Sequence, residues 1–525
     1  MRAYGLRHCL PALVLATGLI ATGEARAQSA TAQSVTVALN ADIRSTNPGV
    51  NRDDNTDGVV LNMVEGLVGY RENGSVGPLL AEKVDLSADG QTYTFHLRKG
   101  VKFHNGAPMT SADVLWSWQR YMDPKTEWRC LADFDGRNGI KVTSATAPDA
   151  QTFVMTIDKP AALFLDTMAR TDCGMTAILS KDSINPDGSW NRPVGTGPFK
   201  LVDWKRGEYV TVTRFDDYVS PPGDKVDGYL GNKKPLVKDV KFLVVPDAST
   251  AKAGLLSGAI DIAQILDSDA PELEKSGTVQ VLTPTSAVKH VLLFQTRDPV
   301  LKNAKLRQAI AAALDIGQLV AAASNGLGKP HNSAVPLSSA YSDAVQQEGY
   351  TYDQAKAKKL LAEAGYKGEP IKIIANKRLT VPSFPVAVMA QAMLQSVGIN
   401  AEIEVLEWAT QLDRYNKGNY QMMSFSYSSR LDPALSYEQF MGPKDTQPRK
   451  VWDNPEAQAL LDKAFVVSDP TERQKLFDEL HSRQLADTPL VILFNGIEFS
   501  AQGKRVHGSP YWEGKQRLWG VSVAN

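Results

Sequence analysis

The sequence predicts an α/β protein of two or more lobes built on mixed sheets. Short runs of alternating apolar and polar residues recur between longer runs with helical spacing. The chain is 525 residues long, beyond the roughly 250–300 residues at which single cores stop growing. No period of about 20–50 residues repeats and no low-complexity tract divides it, so the lobes must be joined by segments that cross between them.

The first strand falls at 35–39, where Val-Thr-Val-Ala-Leu alternates. Asp57 to Val68 follows with Val60, Met63, Val64 and Leu67 on one helical face. Strands are expected at 93–97, at 103–106 with a turn, at 151–158 and at 208–215. Between them Thr110-Ser-Ala-Asp113 opens a helix through Trp116 and Trp118, with a hydroxyl cap and an acid in the first turn. Then come a strand at 240–245, a helix from Asp247 to Leu256 and a return into strand at 258–262. From Asn303 longer helices dominate, at 304–323, 353–364, 383–397, 454–466 and 470–486, separated by strands at 371–375, 401–406 and 490–494.

The first 27 residues have the pattern of an export signal. Arg2 and Arg7 precede an apolar run from Leu10 to Ala21, and Ala25-Arg-Ala27 places small residues at −3 and −1, so cleavage is expected before Gln28. A membrane anchor is the alternative, but the run is too short to span about 30 Å of hydrocarbon. Cys9 stands ahead of that run and not at the cleavage point, which gives no support for a lipid anchor. Without residues 1–27 the chain keeps 54 basic and 57 acidic residues, a net of −3. That balance offers no electrostatic footprint for nucleic acid or an anionic membrane. Cys130 and Cys173 remain. An oxidising compartment favours their pairing, worth about 2–4 kcal/mol, against the alternative of two buried thiols; neither has a second ligand at metal spacing.

Four segments, at 79–82 with 93–106 and 110–114, at 193–199, at 307–315 and at 360–366, together resemble family 5 solute-binding proteins, the peptide, opine and nickel type binding components of bacterial ABC importers. The first is Leu79-Leu-Ala-Glu82 with Tyr93-Thr-Phe-His-Leu-Arg-Lys-Gly-Val-Lys-Phe-His-Asn-Gly106 and Thr110-Ser-Ala-Asp-Val114. The second is Pro193-Val-Gly-Thr-Gly-Pro-Phe199 with Trp204, Arg214 and Tyr218. The third is Arg307-Gln-Ala-Ile310 with Ala313-Leu-Asp315, and the fourth Leu360-Leu-Ala-Glu-Ala-Gly-Tyr366. Most of these residues are read as fold determinants, with Gly90, Gly100 and Gly106 at turns and Gly195 and Gly197 at a tight crossing. The resemblance implies the two-lobed periplasmic-binding-protein fold with a hinge and an extra subdomain. After the signal peptide at 1–27, lobe I is placed at 28–77, 193–290 and 491–525, its subdomain at 78–192, and lobe II at 291–490. The implied function is capture of a small solute, an oligopeptide or peptide-like compound, by hinge closure, followed by delivery to inner-membrane ABC permease subunits. A periplasmic monomer without cofactor, metal or nucleic-acid partner is expected.

Site residues follow from Phe425-Ser-Tyr-Ser-Ser-Arg-Leu-Asp-Pro433. Peptide-binding relatives carry, four places before this proline, an aspartate that pairs with the peptide ammonium. Here that place is Ser429, which cannot neutralise a cation, and Arg430 beside it prefers carboxylate or phosphate. An opine, sugar-phosphate or other anionic conjugate is therefore the alternative cargo. Asp432 is a further candidate, although it also suits a turn cap before Pro433. Trp408, Tyr427, Tyr437 and Trp512 are candidates for flanking a sugar ring or apolar side chain. Arg52 and Asn55 lie on an expected cleft-edge loop, and Arg137 and Asn138 in a polar turn after Cys130.

No catalytic residues are assigned. The chain has no G-x-S-x-G, H-E-x-x-H or C-x-x-C, and Gly326-Leu-Gly-Lys-Pro330 has proline where a phosphate loop needs Ser or Thr. The six histidines left after the signal are dispersed, and His96 and His104 read as structural. A periplasmic hydrolase with two facing carboxylates is the remote alternative.

Overall fold

The computed structural model describes residues 33–51, 53–378 and 381–524; the expected signal peptide and Arg52 lie outside them. Three sheets carry the fold. The first has seven strands in the order Val279–Leu282, Ser500–Gly503, Ile262–Gln264, Ser34–Leu39, Asp239–Val244, Tyr209–Arg214 and Phe199–Lys205. Ser34–Leu39 runs parallel to Ile262–Gln264 and Asp239–Val244, and the remaining pairings are antiparallel. The second has five strands, Ala401–Val405, Ile371–Ala375, Met422–Tyr427, Thr285–Phe294 and Leu490–Ile497. The third is an antiparallel four-strand sheet, Ala81–Leu86, Thr92–Leu97, Thr152–Ile157 and Val142–Asp149.

These sheets make a two-lobed α/β fold, as the sequence predicts. The four-strand subdomain shares one apolar core with the seven-strand sheet, in which Phe95 and Phe153 join Val35, Val37 and Leu39. Lobe II has a separate core on each face of its sheet. Leu292 and Phe294 enter one, Val291 and Leu293 the other, because successive side chains of a strand point to opposite faces and helices cover both.

The lobes are joined at two adjacent crossings. Thr285 pairs with Ile497 in the five-strand sheet, and Leu282 with Ser500 in the seven-strand sheet. Thr283-Pro284 and Glu498-Phe499 therefore run side by side, tied by Glu498 N–H to Pro284 O at 2.9 Å. The second sheet thus takes in 285–294 and 490–497, wider than the 291–490 expected, because strand pairing and not composition sets where the chain crosses.

Several expectations are corrected. The helix expected over 57–68 spans only Asp54–Val60, capped by Asp53, and Val68–Tyr70 is a strand. Beyond Leu61 the backbone is claimed by the Pro193–Phe199 segment. Gly197 N–H bonds Met63 O at 3.0 Å and Phe199 N–H bonds Asn62 O at 3.1 Å. A Cβ on Gly197 would stand 2.5 Å from the Met63 carbonyl carbon, so this close approach is what the glycines permit. The run at 304–323 is two helices, Ala304–Ala313 and Ile316–Ala323, bent by 65° where Asp315 caps the second. Residues 103–106 form a turn flanked by a single bridge, Lys102 to Pro108, in place of a strand. Cys130 and Cys173 are joined in a disulfide, with their Cα atoms 5.7 Å apart.

One buried ion pair ties lobe I together. Glu65 and Lys233, both with fully buried side chains, meet at 2.7 Å. Tyr218 Oη donates to Glu65 Oε1 at 2.7 Å and Thr196 Oγ1 to Oε2 at 3.0 Å, while the Lys233 ammonium lies 4.4 Å from the Trp519 ring centre. Burial alone would raise the Glu65 carboxyl, but Lys233, Arg98 and these hydrogen bonds outweigh it and hold the group below its usual range. Removing one partner leaves an uncompensated buried charge. Glu65→Ala is expected to cost about 3–5 kcal/mol in urea unfolding, whereas Glu65→Leu with Lys233→Met should recover most of that loss.

Candidate functional site

The strands Ile371–Ala375, Ala401–Val405 and Met422–Tyr427 are parallel, so their C-terminal ends share the edge of lobe II that faces the crossings. Here Met422–Tyr427 ends in the turn at 428–432. From lobe I, the hairpin Tyr511–Trp512 with Lys515–Gln516 approaches the same turn. Its two central residues, Glu513 and Gly514, both have positive φ, 45° and 78°, as a tight I′-like turn requires. Glycine adopts this freely, but a side chain at 513 costs on the order of 1 kcal/mol.

Glu513 reaches across the lobes. Its Oε2 accepts from Ser429 Oγ at 2.9 Å and from Ala287 N–H at 3.3 Å. Around it lie Glu498 on the second crossing, Lys289 opposite Tyr427, and Lys515, which pairs with Asp54 at 2.9 Å. Burial and then the charge of Glu513 push Glu498 up to about 7, and burial also raises Glu513 itself. Burial, aided by Arg430, lowers Lys289 to about 7. Burial raises Asp57 to about 8 against the pull of Lys515. Glu498 and Glu513 form no ion pair among the described residues, and the charge of Lys515, with that of Lys289 for Glu513, offsets only part of their burial. Arg430, half-buried beside them, donates to Ser428 Oγ at 3.1 Å and Ser429 O at 2.8 Å. The junction therefore offers both signs of charge on facing walls.

The model of the bacterial extracellular solute-binding proteins, family 5 Middle, matches residues 75–448. The chain belongs to this family. Heme-binding protein A of Haemophilus influenzae is 29% identical over 485 residues, 85% of this chain and 84% of that protein. Oligopeptide-binding protein AppA of Bacillus subtilis is 26% identical over 461 residues, 82% of this chain and 80% of AppA. The solved structure of HbpA2 from Haemophilus parasuis superposes with a TM-score of 0.80 at 25% identity, covering 94% of this chain and 100% of that one.

In this extracellular solute-binding protein the sequence candidates divide. Ser429 and Arg430 stand at the junction with Glu513. Trp408 is at the same edge, half-buried, with Phe425 at 5.8 Å and the Arg378 guanidinium 4.7 Å from its ring centre. Trp512 adjoins Glu513, but its own ring is buried against Tyr70 and Tyr229.

The others are committed elsewhere. Tyr427 packs in the lobe II core against Phe425 and Phe440. Tyr437 lies in the same core among Phe440, Trp452 and Phe477, fully buried. Asp432 does not swing into the junction: Arg473 holds both oxygens, at 2.7 and 2.9 Å, and Oδ1 caps the Pro433–Glu438 helix through Ala434 N–H at 2.8 Å. The half-buried Asn55 donates to Asn40 Oδ1 at 2.7 Å, Arg137 pairs with Asp135 at 2.6 Å, and Asn138 donates to Asp133 Oδ1 at 2.6 Å. The latter two are spent within their own surface turn. Cys130, Asp133 and Cys173 are the one group of metal-ligand type among the described residues, and the disulfide occupies both sulfurs.

Sequence reasoning missed Glu513, Glu498 and Lys289. The turn that carries the first of them is Glu-Gly, not one of the Asn-Gly, Asp-Gly or Gly-Gly pairs that mark a two-residue hairpin, so the sequence pattern does not reveal it.

Asp57 links this junction to stability. A carboxyl whose folded value lies above its unfolded one contributes stability fully present below about pH 4 and lost as pH rises through 8. Unfolding free energies of Asp57→Asn and the native protein are expected to diverge by about 1.4 kcal/mol per pH unit between pH 5 and 8, in favour of the variant at the higher pH. Urea titrations at three pH values measure this.

Proposed function

We propose that the chain captures a zwitterionic peptide or peptide-like solute between its lobes and delivers it to the permease of an ABC importer at the inner membrane. The carrying observation is the Glu513 carboxylate, presented by lobe I within 2.9 Å of Ser429, the lobe II position at which peptide-binding relatives place an aspartate. Glu513 and Glu498 receive the ammonium, and Arg430 receives a carboxylate through its planar fork of donors. The paired crossings at 283–284 and 498–499 act as the hinge. A solute touching both walls stabilises the closed arrangement over the open one by its differential contacts. The named specificities of the heme- and oligopeptide-binding relatives support a solute larger than an ion.

The opine or anionic-conjugate reading keeps one specific support, Arg430 at the junction. The same chemistry gives the discriminating measurement, since such a ligand depends on Arg430 more than on Glu513. The reading further holds that the mature monomer begins at Gln28, works in the periplasm, and binds its solute without turning it over.

Mass spectrometry of the compound released by gentle denaturation identifies the cargo, and calorimetry with that compound quantifies it. For a peptide, Glu513→Gln is expected to weaken binding at least ten-fold, about 1.4 kcal/mol, and Arg430→Ala by a similar factor. Native affinity for a peptide should rise from pH 5.5 to 8 as Glu498 ionises and can pair with the ammonium. An unchanged affinity in Glu513→Gln rejects the peptide assignment.

A further inference from the structure

A cavity of about 260 Å³ lies between the subdomain and lobe II. At about 30 Å³ per water it has room for on the order of eight waters. Its subdomain wall includes Asp166, on the helix Phe164–Ala169, with Tyr93 and Leu165; its lobe II wall includes Tyr341, Asp432 and Arg473.

The charges in these walls do not balance. Asp432 is matched by the two-pronged Arg473, whose guanidinium also lies 5.5 Å from the Tyr341 ring centre. Asp166 is only 7% exposed and forms no ion pair among the described residues. Arg170, the nearest cation of its own segment, is committed to Asp133 at 2.7 Å and Asp172 at 3.0 Å. Tyr70 Oη donates to the Asp166 main-chain carbonyl at 3.2 Å. The Tyr70 hydroxyl, with Arg473 and Arg170 beyond ion-pair distance, offsets only part of the burial, so the buried group tends to hold its proton unless a cation joins it.

We propose that this cavity is a subsite for a cationic group of the solute, a primary ammonium or guanidinium, held by Asp166, with the already paired Asp432 and Arg473 forming the facing wall. The inference rests on the reading that the solute lies between the lobes. The subsite adjoins the first junction through Ser429 to Pro433, a single continuous segment, and through Tyr70, whose ring is 6.1 Å from Trp512. A ligand with two separated cationic groups would then meet Glu513 at one site and Asp166 at the other. Burial first, and then the Asp432 charge, push Asp166 up to about 7, so an arriving cation finds a group ready to ionise at neutral pH.

The test compares the native protein with Asp166→Asn in two series. Calorimetry sets Ala-Lys-Ala against Ala-norleucine-Ala, and thermal unfolding sets n-butylammonium against butan-1-ol. The expected result is at least ten-fold tighter binding of the lysine peptide, or a larger rise in Tm with the butyl cation, lost in Asp166→Asn. The variant itself should melt no lower than the native protein, since it removes a carboxyl whose burial is only partly offset. A preference absent from both series, or retained in Asp166→Asn, overturns the subsite. If neither tripeptide binds while the butyl pair still discriminates through Asp166, the peptide assignment fails and the subsite stands.

Discussion

The Glu65–Lys233 pair is the contact on which the architecture of lobe I turns. Glu65 belongs to the segment after the first helix, Thr196 to the Gly-rich crossing, Tyr218 and Lys233 to the strand connections, and Trp519 to the C-terminal region. Thr196, Tyr218 and Lys233 converge on the one Glu65 carboxylate, and Trp519 packs against the Lys233 ammonium. Two charges out of water hold such a convergence only when every donor and acceptor is placed, so the pair acts more as a specification of position than as a source of net stability. The glycines at 195 and 197 belong to the same constraint, because they let the crossing lie against Met63 closely enough for Thr196 to reach Glu65.

With lobe I fixed in this way, its C-terminal hairpin becomes a rigid arm. Tyr70, Tyr229 and Trp512 clamp the hairpin base, and Glu513 projects from its tip toward lobe II. The strained φ at Glu513 fits a side chain kept for what it reaches. The two crossings lie beside that tip, and Glu498 is itself part of one of them. Rotation of lobe II about the crossings therefore changes the distance from Glu513 to Ser429 directly, while the cores of both lobes remain as they are.

What the sequence revealed follows local physics. The helices at 354–364, 455–464 and 470–487 each begin with an Asp or Asn cap, and that punctuation is readable in one dimension. Ile371–Ala375 was legible from its β-branched run. Thr285–Phe294 was not, because a strand buried on both faces shows no alternation. The early end of the first helix was invisible, since the segment that claims its carbonyls lies more than a hundred residues away. Ser429 and Arg430 are candidates through their place before Pro433, and the fold sets them beside Glu513. Tyr427 and Tyr437 lie in the core, which the sequence does not reveal, because an aromatic near a cleft motif reads alike whether it lines the cleft or the core behind it. Asp432 has its partner on a distant helix, at Arg473, which only the fold brings into contact.

Under the proposed function, placing the ammonium-binding carboxylate on lobe I would have a consequence for loading. A carboxylate on the 428–432 turn would meet an ammonium whether or not the lobes had closed. Glu513 instead becomes buried beside Glu498 only where the lobes meet, so closing without a solute gathers two carboxylates in a poorly solvated junction and drives one toward protonation. A bound ammonium removes that cost at the moment of closure, while Ser429, donating to the same carboxylate, needs only one of its several lone pairs and does not compete. Under this arrangement the free energy that separates the loaded closed form from the empty closed form resides in the repulsion the solute relieves as well as in the contacts it makes. A neutral solute of the same shape would leave that repulsion in place, and the lobes would gain less from closing around it.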